Sequence, residues 1–179
     1  MKRVSALITT IALLAAAGAA AQSASAPELK AAFLFNFAKF AEWPSLAPDA
    51  PVAVCVAGDD RVATVLSETV RGQAPETRAV TVIKLPGDVP TRACQVLFVG
   101  SGADARRRAA LLEEAAAGPV LTVSDSVRFA VTGGMVELFL ESGRMRFAIN
   151  VDAVGRSRVR LSSRLLGLAK IVRDTTNAQ

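Results

Sequence analysis

The sequence predicts an α/β protein: a three-layer sandwich on a mixed, largely parallel sheet, Rossmann-like in its first half, closing with an antiparallel hairpin plus helix. Three observations predict it. Val52–Ala57 (VAVCVA), Val80–Leu85, Gln95–Gly100 (QVLFVG) and Val120–Val123 are apolar without polar alternation, the pattern of strands covered on both faces. Helical segments at Arg61–Val70 and Asp104–Ala117 separate them, so strands and helices alternate as in parallel-sheet folds. Beyond residue 134 the order changes, and Met135–Leu140 and Met145–Ile149 flank Glu141-Ser142-Gly143-Arg144 as a hairpin would.

Each element has a local reason. Lys2 and Arg3, the uncharged run Val4–Ala17 and the small residues Ala19-Ala20-Ala21 compose a secretory signal peptide over 1–21, cleaved after Ala21. An uncleaved anchor is the competing reading, but the apolar run is short for a bilayer span. Removing 21 of the 179 residues leaves 158, enough for one domain with a sizeable core, placed at 22–174, with a disordered tail at 175–179.

The segment Lys30–Pro44 (KAAFLFNFAKFAEWP) holds four of the eight phenylalanines and the only tryptophan. At helical spacing Leu29, Phe33, Phe37 and Phe40 share a stripe, with Trp43 and Pro44 closing the element. Asn36 falls between Phe33 and Phe40, where a buried amide would pin the helix through hydrogen bonds. Asp59 or Asp60 caps the helix at Arg61–Val70. Gly118-Pro119 stops the one at Asp104–Ala117. Val151–Gly155 reads as a helical turn. Leu161–Arg173 (LSSRLLGLAKIVR) reads as a final helix, with Leu161, Leu165, Leu168, Ala169 and Val172 on its apolar side.

Composition excludes much chemistry. The chain has no histidine and no tyrosine, which removes histidine-based nucleophilic catalysis and the commonest zinc ligand. Gly100-Ser101-Gly102 follows a buried strand but has no histidine base to activate it, so it is a polar turn. No GxGxxG or phosphate-loop pattern occurs, and no cofactor is expected. Gly58-Asp59-Asp60 lies where open sheets bind ligands, but adjacent acids repel phosphate and suit capping better. An enzyme is therefore not expected, and no nucleic-acid motif is present. Charge is uneven: residues 22–143 carry 11 basic and 14 acidic side chains, whereas residues 144–179 carry 8 and 2. Such a basic end suits either an acidic partner, an anionic membrane surface, or simple solvation.

Cys55 lies within the first buried strand and Cys94 just before the third. The first strand of a doubly wound sheet commonly neighbours the third, which would bring the two within bonding distance. Two cysteines in an exported protein usually pair. A structural disulfide and a redox switch are both compatible with that pairing.

With these segments laid out, the chain resembles the YfiR family, also known as domain of unknown function 4154. The resemblance starts at KAAFLFNFAKFAEWP, continues through Val52–Asp60 (VAVCVAGDD), Arg92–Gly100 (RACQVLFVG) and Pro119–Ala153, and ends at Val159–Val172 (VRLSSRLLGLAKIV). It implies that Cys55 and Cys94 match a family pair that forms a disulfide. It also implies a periplasmic regulator of cyclic-di-GMP signalling, which represses an inner-membrane diguanylate cyclase by engaging its periplasmic sensor region. A peptidoglycan-associated outer-membrane lipoprotein would relieve that repression by sequestering the repressor, and the resemblance leaves room for a homodimer. Others in the family are fused to or paired with sensor kinases, so a periplasmic small-ligand sensing module is the alternative.

Candidate partner or ligand contacts follow from both readings. Lys39 and Phe35 lie off the Phe33/Phe37/Phe40 stripe and, with Arg164 of the basic end, suit a partner-facing surface. Trp43 is the closing residue of the first motif. Asn36, Asn150, Ser162 and Ser163 are polar within otherwise apolar segments, and either converge on a ligand or satisfy buried backbone groups.

Overall fold

The computed structural model describes residues 25–73, 78–85 and 91–175. The leader expected over 1–21 and the tail beyond Thr175 lie outside them. Thr175 itself is held, its hydroxyl donating to the Val131 carbonyl at 3.3 Å.

The chain opens with helix α1 (Ala26–Phe40) and the short strand β1 (Ala41–Glu42). Then β2 (Val52–Ala57), α2 (Asp60–Arg71), β3 (Val80–Lys84), β4 (Val96–Val99), α3 (Ala105–Ala116) and β5 (Leu121–Ser124) alternate. A 3₁₀ turn at Ala130–Thr132 leads into the hairpin β6 (Val136–Glu141) and β7 (Arg144–Asn150). The short elements α4 (Val151–Arg156), β8 (Arg160–Leu161), α5 (Ser163–Leu168) and β9 (Lys170–Val172) complete it.

Seven strands form one sheet in the order β3-β2-β4-β5-β6-β7-β9. The first five run parallel; β7 is antiparallel to β6, and β9 runs parallel to β7. β1 and β8 pair separately as a two-stranded ribbon. The apolar runs explain themselves here, because alternate residues feed two different cores. Val52, Val54, Val56, Val96, Phe98, Leu121 and Val123 meet α1 and α2 on one face. Cys55, Ala57, Leu97 and Val99 meet Leu111 and Ala115 of α3 on the other. Burial on both faces removes the need for alternation. Cys55 and Cys94 form a disulfide in that second core, with Cα atoms 5.7 Å apart, as the adjacency of β2 and β4 led us to expect.

Four expectations change. The continuous helix over Leu161–Arg173 is instead two strand segments around the six-residue α5. Arg160 and Leu161 pair with β1, while Lys170, Ile171 and Val172 extend the sheet beside β7. The helical period was present, but backbone pairing at two edges outweighs it, and β-branched Ile171 and Val172 favour the strand. Of its intended apolar side only Leu165 is buried, whereas Leu168 is 67% exposed.

In α1 the buried set is Ala31, Leu34, Phe35, Phe37 and Ala38. Phe35 is therefore covered rather than exposed, and Phe33 and Phe40 are half-buried. Asn36 is exposed and pins nothing in the core. The physical reason is that α1 packs against α2 as well as against β2, β4 and β7, so it is buried on more than one side. The stripe that looked central is deep only at Phe37, and half-buried at Leu29, Phe33 and Phe40. The helix also ends at Phe40, before Trp43 and Pro44.

Candidate functional site

At the carboxyl ends of β2, β4 and β5, where an open α/β sheet commonly offers a ligand crevice, an ion cluster ties the strand ends to α1. Asp59 caps α2, its Oδ1 accepting from the Val62 N–H at 3.0 Å. Asp125, just beyond β5, accepts from the Ser101 N–H at 2.6 Å. Lys30 of α1 reaches down between them, its Nζ 2.6 Å from Asp125 and 3.2 Å from Asp59. Burial works to lower the Lys30 pKa, but the hydrogen bond and charge of Asp125, followed by those of Asp59, outweigh it and hold the ammonium above its ordinary range. The backbone is close-packed beside it. Gly58 has φ +74°, and a Cβ there would lie 2.7 Å from the Ala103 nitrogen. The Gly58-Asp59-Asp60 and Gly100-Ser101-Gly102 turns are thus structural, as their chemistry indicated. On the other face of the sheet, Glu114 of α3 accepts a hydrogen bond from the Thr91 N–H at 3.0 Å.

Beside this cluster an open recess of about 420 Å³ remains, lined by Lys30, Asp125, Glu137, Leu138 and Met145; the aromatic groove lies between α1 and α5. Phe33, Phe37 and Phe40 of α1, Phe147 of β7, and Leu165 and Leu168 of α5 line a cavity of about 150 Å³. Phe147 stacks at a tilt on Phe33 and edge-on to Phe37, with centroids 5.4 and 5.3 Å apart. Asn36 and Arg164 stand at its margin, and the Arg164 guanidinium lies 5.1 Å from the centre of the Phe40 ring. Such a contact holds the cation in place without neutralising it. Lys39 is exposed on the same helix, with its ammonium 5.2 Å from the Phe35 ring. The groove therefore joins half-open aromatic faces, an exposed leucine, an amide and one cation, with Lys39 on the same helix outside its lining.

The other sequence candidates go separate ways. Trp43 is 3% exposed, in the core under α1, with its indole N–H unpartnered among the described residues. Asn150 is fully buried and works as a hub. Its Oδ1 accepts from the Asp152 and Ala153 N–H groups, while its Nδ2 donates to the Ala130 carbonyl and the Asp174 carboxylate. The hydrogen bonds from Arg156 and then Asn150 hold the Asp174 carboxyl below its usual range. Ser162 caps α5 through the Leu165 N–H, and Ser163 is an exposed first-turn residue. Of the four polar candidates only Asn36 lines the groove. Leu168 and Phe147 are the contributors that sequence reading missed. Leu168 was assigned to a buried helix side, and nothing in the local pattern of β7 points to α1.

No match was found among curated proteins. The family model described as YfiR/HmsC-like, domain of unknown function 4154, matches residues 27–170, from the first turn of α1 to the first residue of β9. That span contains the ion cluster at the strand ends, the disulfide and the whole α1–α5 groove, and on it the chain belongs to the YfiR/HmsC-like family.

Proposed function

We propose that this protein is a non-enzymatic periplasmic regulator that binds and represses the periplasmic sensor region of an inner-membrane diguanylate cyclase, with the α1–α5 groove as its partner-facing surface. Membership of the YfiR/HmsC-like family supports a regulatory role in cyclic-di-GMP signalling. The observation that carries the surface is the juxtaposition of half-buried Phe33 and Phe40, exposed Leu168 and the Arg164 cation. Aromatic and arginine side chains around a small apolar recess are the composition of an interface anchor point. A partner would place one apolar side chain in the recess and acidic groups against Arg164 and Lys39. A peptidoglycan-associated outer-membrane lipoprotein competing for the same surface would explain relief of repression.

The experiment is affinity capture of the cyclase's periplasmic region by wild-type protein and by the Arg164→Glu and Lys39→Glu variants. Reversing either charge should weaken capture about tenfold or more while the melting temperature stays near the wild-type value. Capture at wild-type strength by both folded variants removes the groove from the interface.

A further inference from the structure

A second cavity, on the opposite face of the sheet, has a different chemistry. It has a volume of about 320 Å³ and lies between α3 and the segment joining β5 to β6. Leu112, Phe129 and Met135 supply apolar walls, and Arg108, Ser126 and Thr132 supply polar atoms; no acidic residue lines it.

Arg108 sets the character of this space. One terminal nitrogen donates to the Ser126 hydroxyl at 3.1 Å and the other to the Ala103 carbonyl at 2.9 Å. Its Nε is shielded from solvent and has no hydrogen-bond partner among the described residues. Among the described residues no carboxylate pairs with this guanidinium. A guanidinium cannot shed its proton, so a buried N–H and an uncompensated charge persist together at the cavity wall. An anion in the cavity would balance the guanidinium's charge.

The wall opposite is built rather than slack. Glu137 accepts from the Arg128 and Ala130 N–H groups at 3.1 and 3.0 Å, which ties the segment to β6. Arg128 is held at φ 64°, a conformation that side-chain-bearing residues adopt seldom and that recurs at binding segments. Gly134 packs so closely that a Cβ there would lie 2.2 Å from the Phe129 ring, and its N–H donates to the Phe129 carbonyl. The cavity is therefore shaped before any ligand arrives. Its volume reaches the lower end of the range for small-molecule sites.

We propose that this cavity binds a small organic carboxylate, with the carboxylate at Arg108 and Ser126 and an aliphatic body against Leu112, Phe129 and Met135. The guanidinium and the Ser126 hydroxyl match the charge and lone pairs of one carboxylate, whereas a phosphate group carries more charge and more acceptors than this wall supplies. The inference stands apart from the partner reading, because the cavity and the α1–α5 groove share no residue.

The test is titration of the purified protein with propanoate, 3-methylbutanoate and 4-methylpentanoate, following the Arg108 Nε–H resonance by ¹⁵N NMR. At least one acid should give a saturable shift of that resonance. The amide of the same acid should bind about tenfold more weakly or worse, since it loses the charge-assisted bond. Arg108→Gln, followed through the Ser126 and Thr132 backbone amide resonances, should lose binding by a similar factor. Ala116→Phe, which crowds the cavity wall and leaves Arg108 in place, should weaken binding with an unchanged melting curve. The proposal is overturned by absence of a saturable shift with all three acids, by equal affinity for acid and amide, or by wild-type affinity in both folded variants.

Discussion

The two ends of α1 meet the rest of the molecule in opposite ways. At its first turns Lys30 enters the carboxyl edge of the parallel sheet and is closed in by Asp59, Asp125 and two glycine-rich turns. At its last turns Phe33 and Phe40 stay half-open, facing a six-residue helix whose Leu168 is left in solvent. One helix thus ties down the strand ends where α/β sheets usually bind something, beside a recess lined by Lys30 and Asp125, and at its other end leaves an aromatic face half-open. The difference teaches that location in a fold is weak evidence for a site, and that unfilled space with unpaired chemistry is stronger.

Breaking the tied-down half should cost far more stability than altering the open half. The largest effect belongs to the Cys55–Cys94 bond, which closes a sequence separation of 39 residues. In the chain-entropy model such a loop contributes about 4 kcal/mol. Urea unfolding with and without reductant measures this, and an unchanged midpoint would exclude a structural role. Next is Gly58→Ala, which combines positive φ with a backbone collision and should destabilise by about 3 kcal/mol. Its control is Gly143→Ala in the hairpin turn, at φ +75° with nothing within 4 Å, which should cost about 1 kcal/mol. If the two substitutions cost the same, the turns at the sheet edge are not tightly sealed.

Lys30→Met should come third, at about 2 kcal/mol, because it leaves two part-buried carboxylates facing each other. Its pH dependence has a definite sign. Folding raises the Lys30 pKa above 10.5, so its contribution is fully present below that value and is lost as pH rises through the folded pKa. The stability gap between wild type and variant should be constant from neutral pH upward, then close in strongly alkaline solution. A gap that persists there would assign the effect to packing rather than charge. Smallest of all, Leu168→Ser and Arg164→Glu in the groove should change stability by less than about 0.5 kcal/mol. A large loss from either would make the groove part of the core rather than a surface.

Much of the fold was legible because its strands are buried on both faces, and a run such as VAVCVA or QVLFVG has few other meanings. The hairpin was legible from its turn residues, and the cysteine pairing from strand adjacency. The candidate site was legible only in part. Asn36 and Arg164 line one groove and Lys39 is exposed outside it, while Trp43 is buried and Asn150 and Ser162 hydrogen-bond the backbone. A polar residue in an apolar segment looks the same in sequence whether it faces a ligand or a backbone amide. Asn150 serves backbone groups on both its amide atoms, and that depends on where Ala130 lies in space.

By itself the sequence determined the parallel core, the missing histidine chemistry and the likeness to a regulatory family, since each depends on residue type and local order. Tertiary structure alone decided which side of α1 faces out. That helix is apolar on several sides, so its orientation follows from how many neighbours surround it rather than from its own period. It also decided the fate of residues 161–173, because edge strands form only when another strand offers its hydrogen bonds. The groove exists because both decisions meet there: a helix turned outward, and a predicted helix cut short beside it.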